Sequence, residues 1–238
     1  MPSATDAHPF AANRLLARLS PADYQRLRPL FKPIRLTKGQ ILYDVGEPVN
    51  YAYFLTSGMV SLLAVTDEDL IVQVGMVGNE GMVGVPALFR TNIMPYRVTL
   101  QLPATALRIN SVALNAEFNR NGALTDLLLR YLHTLVTQIT QSAICHHYHT
   151  LEQRLCRWLL ISRDRAHSDV LPLTQETIAH MLGVKRTAVT NAASTLQKAK
   201  LINCRWGRLE ILDRTGLEAA ACECYRIITA EIEQFLVA

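Results

Sequence analysis

Apolar positions along the chain follow two different periods. Between Pro33 and Ile109 they come in short runs broken by glycine: KGQILYDVGE, YAYFLTSGMVSLLAV, LIVQVGMVGNEGMVGV and YRVTLQLPATALRI. Short β-branched runs with turn residues about every 8–12 positions predict an antiparallel sandwich or barrel. Seven of the eleven glycines (Gly39, Gly46, Gly58, Gly75, Gly78, Gly81 and Gly84) fall at or between these runs, where the sheet must turn. Ahead of them, Ser20-Pro21 followed by ADYQRLRPLF predicts a short capped helix with proline in its first turn.

After Asn121-Gly122 the period becomes helical. Leu128, Leu132, Leu135, Ile139, Ser142, His146 and His149 are spaced alternately by four and three, which is one seam of a helix of about 28 residues. Leu127, Leu129 and Tyr131 add apolar surface off that seam. A helix apolar on more than one side needs two partners; the sheet domain is one candidate and a second copy of the chain the other, the alternative being a helix packed wholly within one subunit. Leu128, Leu132, Leu135, Ile139, Ser142 and His146 are therefore the expected dimerisation residues. A further helix, LEQRLCRWLLISRDRA, starts at Leu151 with Leu155, Trp158, Leu159 and Ile161 inward. The last helix, from Leu217, is acidic.

Between these two helices, LPLTQETIAHMLGVKRTAVTNAASTLQKAKLINCRWGRLEIL has the layout of a winged helix-turn-helix. Thr174 can cap a short helix that turns Ile178, Ala179 and Leu182 inward, and Gly183 ends it. A second helix buries Val189, Ala192 and Leu196. Its other face carries Arg186, Thr187, Thr190, Asn191, Ser194 and Lys198, side chains that can read base edges or meet phosphate oxygens. Two short strands around a turn at Trp206-Gly207 form the wing, with Arg205 and Arg208 nearer the backbone. Thr174, Lys185, Arg186, Thr187, Thr190, Asn191, Ser194, Lys198, Arg205 and Arg208 are the expected DNA-contacting residues.

Composition sharpens this reading. Half of the 238 residues are apolar and 18% are charged, which is globular rather than disordered. Residues 171–215 hold seven Lys or Arg against three Asp or Glu, an excess of +4, and the whole chain's net charge is also +4. The basic character is thus local to the reader segment. MPSATDAHPF is not a basic segment leading into an apolar run, and no stretch approaches the roughly 20 apolar residues of a membrane helix. Five cysteines (Cys145, Cys156, Cys204, Cys222 and Cys224) form no CxxC pair. A bacterial cytoplasmic protein without a membrane partner is expected.

The residues also carry a family resemblance. KGQILYDVGEPVNYAYFLTSGMVSLL is similar to the β-roll opening of the Crp/Fnr superfamily of bacterial transcription regulators. GNEGMVGVPALF resembles the glycine-rich approach to that family's cyclic-nucleotide pocket, and LTQETIAHMLGVKRTAVTNAASTLQKAKLI its DNA-binding pattern. The likeness runs over about residues 20–215. It implies an α+β fold: an N-terminal antiparallel β-roll of cyclic-nucleotide-binding type, a long dimerisation helix and a C-terminal winged helix-turn-helix. The expected division is 1–32 (N-terminal helical segment), 33–120 (β-roll), 121–149 (dimerisation helix) and 150–238 (DNA-binding domain). The implied partners are double-stranded DNA, a second copy of the chain and RNA polymerase.

Departures from the family pattern touch the recognition helix, where Lys185 is a poor N-cap and Thr187 and Asn191 stand in place of charged residues, and above all the effector. Cyclic-nucleotide binders of this family follow the pocket glycine with a glutamate for the ribose, then an arginine and a small hydroxyl residue for the phosphate. Here Gly84 is followed by Val85 and Pro86, and the phosphate position falls near Met94-Pro95. A buried phosphate without a cation is poorly compensated. Any remnant of the pocket is expected near Gly84, Val85, Arg97 and Thr140, with Arg97 outside the expected place. Neither cAMP nor an iron–sulfur cluster is expected, since no cysteine precedes Cys145. The run Cys145-His146-His147-Tyr148-His149 has no evident carboxylate partner, and Cys222 and Cys224 would point to different sides of a helix, so no metal is expected either. No catalytic motif (GxSxG, GxxxxGK or HExxH) is present. The expected function is a homodimeric, sequence-specific transcription regulator rather than an enzyme. The alternative is a cyclic-nucleotide-type regulatory or interaction module acting on a partner protein.

Overall fold

Ser20 opens the first helix as its place before Pro21 predicts. In the computed structural model, which describes residues 10–68, 70–89, 91–205 and 207–237, the Ser20 hydroxyl accepts the Asp23 N–H at 3.1 Å and starts α1 (Pro21–Leu27). Residues 1–9 of the expected N-terminal segment and Trp206 of the wing turn lie outside the described residues. The glycine-broken runs form one sheet of six strands: β1 (Phe31–Leu36), β2 (Ile41–Tyr43), β3 (Tyr51–Val65), β4 (Ile71–Val77), β5 (Met82–Val83) and β6 (Arg97–Asn110). The order is β1-β6-β3-β4, with β2 on β6 and β5 on β3. Pairing of β6 with β1 is antiparallel from Phe31 opposite Ile109 to Leu36 opposite Ala104.

Helices follow in the predicted order. Asn110 caps α2 (Ser111–Phe118), accepting the Val112 and Ala113 N–H groups. The long helix is α3 (Ala123–Tyr148), and α4 (Leu151–Ala166) starts at Leu151 as expected. Its start is fixed by a capping box: the Thr150 hydroxyl accepts the Gln153 N–H while the Gln153 side chain accepts that of Thr150. Next come β7 (Val170–Leu171), α5 (Gln175–Leu182), α6 (Arg186–Lys198), β8 (Ile202–Arg205) and β9 (Arg208–Ile211), the strands ordered β7-β9-β8. The C-terminal helix expected from Leu217 is two helices, α7 (Arg214–Ala220) and α8 (Cys224–Val237). Ala221 is extended (φ −78°, ψ 160°) and breaks the run without a proline or glycine to announce it.

By packing, the chain divides into two units. Met1–Val60, Val77–His133 and Phe235–Ala238 form the first; Ser61–Met76 and Thr134–Gln234 form the second. This division runs through β3–β4 and α3, whereas the sequence-based boundaries follow changes of element type.

In the first unit, Phe10, Phe31 and Phe54 stack edge to face through the core, with ring centroids 4.8 and 5.3 Å apart. The start of α3 is held to the GNEG turn by Tyr131, whose hydroxyl donates to the Met82 carbonyl at 2.7 Å. The Tyr131 ring lies against Gly81, where a Cβ would overlap it.

In the second unit, the outer end of the β3–β4 hairpin packs among the helices that carry the reader. Trp158 Nε1 donates to Gln73 Oε1 at 2.5 Å, and the Met76 N–H donates to Gln138 Oε1 at 2.7 Å. Val72 sits beside Gly183, the turn between α5 and α6; a Cβ added there would lie 3.3 Å from Val72 Cγ2. Hairpin residues thus touch the reader turn directly.

Gly81→Ala forces a methyl into the Tyr131 ring and is expected to destabilise the chain by about 1–3 kcal/mol. Thermal unfolding by circular dichroism measures this, and an unchanged midpoint contradicts the contact.

Candidate functional site

The helix pair α5–α6 is built as its sequence requires. Thr174 caps α5, its hydroxyl accepting the Thr177 N–H at 3.1 Å, and Ile178, Ala179 and Leu182 are buried. Gly183 adopts φ 64° at the turn, a conformation that favours glycine. On α6, Val189, Ala192, Ala193 and Leu196 face inward, while Lys185, Arg186, Thr187, Thr190, Asn191, Ser194 and Lys198 are exposed. Lys185 occupies the N-cap without any side-chain cap, so the first turn keeps free N–H groups beside a positive charge.

Contacts that no local pattern announces hold this face in place. Gln175 Oε1 accepts the Thr190 hydroxyl at 2.8 Å, joining the start of α5 to α6. Arg186 lies 3.9 Å from Glu176, which also lies 3.6 Å from His180 one turn along α5. On the inner side, Arg154 of α4 donates to the Leu182 carbonyl next to the turn. Only the Glu176–His180 spacing of four could have been read from the sequence.

Arg205 and Arg208 face one another across the wing pair β8–β9, both exposed. Arg186, Arg205 and Arg208 line one groove with Thr174, Gln175 and Gly207. Three guanidiniums against the single carboxylate of Glu176 make that groove cationic. All ten expected DNA-contacting residues are therefore exposed, and they lie on or beside α6 and the wing.

The expected dimerisation seam is only half available. Leu128, Leu135 and Ser142 are 0%, 6% and 4% exposed in the single chain, so a second copy cannot reach them. Leu132, Ile139 and His146 are half-buried. The side chains left in water lie one residue further on: Leu129 at 51% and Val136 at 61%, with Ala143 exposed another seven residues along. The correction is one of phase. Both stripes repeat every seven residues, and the chain's own core takes the first. His146 Nδ1–H donates to the Ser142 carbonyl at 2.6 Å, and burial holds its pKa below the ordinary value.

At the expected effector pocket, Gly84 adopts φ 94° with its Cα against the Tyr51 carbonyl; a Cβ there would lie 2.7 Å from that oxygen. Val85, Pro86, Ala87 and Leu88 form a buried apolar turn. Arg97 is engaged elsewhere: its Nε and terminal nitrogen each donate to Asp44 at 2.9 Å, a bidentate pair. Those hydrogen bonds from Arg97 hold the Asp44 carboxyl below the usual carboxylate range. Gly84 and Val85 share the pocket turn, whereas Arg97 points to Asp44. Thr140 belongs to the second unit, exposed on α3.

Family comparison agrees with this layout in both halves. The family model described as the cyclic nucleotide-binding domain matches residues 33–121, and that described as the Crp-like helix-turn-helix domain matches residues 153–220. The chain belongs to the Crp/Fnr superfamily. Its α+β fold, with an antiparallel sheet domain, a long helix and a C-terminal helix-turn-helix, is that of a transcription regulator and not of an enzyme. No curated protein sequence matches the chain. Solved Crp/Fnr structures share its fold. FixK2 from Bradyrhizobium japonicum aligns with a TM-score of 0.69 at 14% identity, over 81% of this chain and 98% of that one. A CRP/FNR-family regulator from Thermus thermophilus gives 0.68 at 21%, over 80% and 98%. The c-di-GMP-responsive global regulator CLP from Xanthomonas campestris gives 0.68 at 17%, over 82% and 100%. Among the described residues, no helix is long and apolar enough to cross a membrane.

Lys185→Ser supplies the missing cap of this Crp/Fnr reader and is expected to stabilise the chain by about 1 kcal/mol. Urea unfolding measures it. An unchanged or lowered stability contradicts the assignment of Lys185 as an uncapped N-cap.

Proposed function

We propose that the chain is a homodimeric regulator that binds a palindromic DNA site through the major groove, with α6 as the reading helix. The observation that carries this is the arrangement of α6: an apolar face sealed by α4 and α5, and a polar face bordered by Arg186, Arg205 and Arg208. On this reading Arg186 at the start of α6 meets a base edge, and the wing arginines meet phosphates. Asn191 and Thr187 lie on the same exposed face, within the first turns that enter a groove.

Dimerisation runs along α3 through Leu129, Leu132, Val136, Ile139, Ala143 and His146, a seam with three- and four-residue steps. It keeps Leu132, Ile139 and His146 of the sequence-based seam and replaces the three residues already buried. Two copies joined this way place two α6 helices on one duplex, and only a spacing of roughly 34 Å admits both to successive major grooves. Val72 of the hairpin meets the reader turn, while Gln73 and Met76 hold the hairpin to α4 and α3. An effector that favours one arrangement of that hairpin shifts the population able to bind DNA. RNA polymerase is the partner a bound regulator of this kind addresses.

The effector is not a cyclic nucleotide held in the usual way. Val85 offers no carboxylate to a ribose, and Arg97 already has its anion in Asp44.

Three outcomes test this reading. Arg186→Ala costs about 1–3 kcal/mol of site affinity and relaxes base preference at one position per half-site, measured by binding to a selected operator and its single-base variants. Uniform weakening across all sequences contradicts a base-reading role. Val136→Asp yields a monomer by sedimentation and loses binding to the full palindrome; a dimer with native affinity contradicts the seam. Millimolar cAMP leaves both melting temperature and operator affinity unchanged, and a rise in either contradicts the effector assignment.

A further inference from the structure

The sequence places two incomplete sets of metal-binding side chains far apart, and the fold joins them. Cys145 and His149 are one turn apart at the end of α3, where the His149 N–H still donates to the Cys145 carbonyl at 3.3 Å. Cys222 lies in the break before α8 and Cys224 is its first residue, so the two are not both on a helix and can turn to the same side. The four ligand atoms (three Sγ and one imidazole nitrogen) all lie within 4.8 Å of one another. We propose that Cys145, His149, Cys222 and Cys224 form a structural zinc site that clips the end of α3 to the start of α8.

Distances fit a tetrahedron. Zn–S bonds of about 2.3 Å and a Zn–N bond of about 2.0–2.1 Å give S···S edges of about 3.8 Å and N···S edges of about 3.6 Å. Cys145 Sγ lies 3.5 Å from Cys222 Sγ, and Cys224 Sγ lies 3.6 Å from His149 Nδ1. His149 presents Nδ1 to the thiols while its Nε2 lies 3.3 Å from Glu223. That carboxylate is the outer partner that ligating histidines use to fix their tautomer and orientation. Its apparent absence is what made the Cys145–His149 run look inert in the sequence.

Charge balance points the same way. On binding, three thiols release three protons to solvent, and Zn²⁺ with three thiolates and a neutral imidazole carries a net charge of −1. Arg154 and Arg157, both buried on α4, act electrostatically on these cysteines, and the Nε of each has no hydrogen-bond partner. Among the described residues neither forms an ion pair with a carboxylate. Buried cations are costly without a counter-charge, and an anionic metal centre supplies one. Soft sulfur ligands in a closed, four-coordinate set select zinc over harder divalent ions.

The test uses the untagged full chain purified from zinc-supplemented cells, with metal content read by plasma mass spectrometry and native mass spectrometry. One zinc per chain is expected, with full occupancy kept by Cys156→Ser, a buried cysteine outside the set. Cys222→Ser and His149→Ala lose the metal. Glu223→Gln keeps it with affinity weakened about 10–100-fold, since the outer partner is changed and not a ligand. Cobalt titration of chelator-treated wild-type protein reads the site independently of variant folding, as the visible bands of tetrahedral thiolate cobalt. Wild-type protein that retains no zinc and gives no such bands overturns the proposal. So does a Cys145–Cys222 disulfide as the state of the freshly purified chain, or full zinc occupancy in Cys222→Ser.

Discussion

The long helix α3 has two apolar stripes and the chain can cover only one. Leu128, Leu135 and Ser142 go into the subunit's own interior, while Leu129 and Val136 stay in water. Burying one leucine or valine side chain is worth about 1.5–3 kcal/mol. A second helix laid along the open stripe gains this at several positions, and a twofold axis lets both copies gain it together. The rest of the proposed function hangs on that pairing, because a single α6 offers only a few base contacts and no defined spacing.

Within the second unit, the parts around the reader are tied together by polar groups inside and left cationic outside. Arg154 caps the carbonyl end of α5 at Leu182, and Trp158 holds Gln73 of the hairpin. On the outer face Arg186 is paired only at 3.9 Å, with Glu176, and among the described residues no ion pair to Arg205 or Arg208 is seen. Buried polar pairing makes the module rigid, and exposed positive charge gives it long-range attraction for a phosphate backbone. Within this unit Val72 of the hairpin also meets the Gly183 turn directly.

Local signals carried far in the sequence, and long-range ones did not. The start of α4 at Leu151, the Gly183 turn and the inward face of α6 all depend on residues within four positions of each other, so pattern alone places them. The phase of α3 was hidden because both stripes are apolar and both repeat every seven residues; only the neighbouring packing chooses between them. Arg97 pairs with Asp44 across 53 positions, which no spacing rule announces. The break at Ala221 carries neither proline nor glycine, so Cys222 and Cys224 read as two sides of one helix. Trp158 showed as an inward side chain, but its partner Gln73, in the hairpin, did not.

The most direct measurement is a hydroxyl-radical footprint of the wild-type chain on a selected operator and on the same duplex with one half-site randomised. Two copies joined along α3 predict two protected patches on one face of the duplex, about 10–10.5 base pairs apart centre to centre, both weakened when one half-site is lost. A single protected patch, bound equally well with the other half-site randomised, would contradict the account.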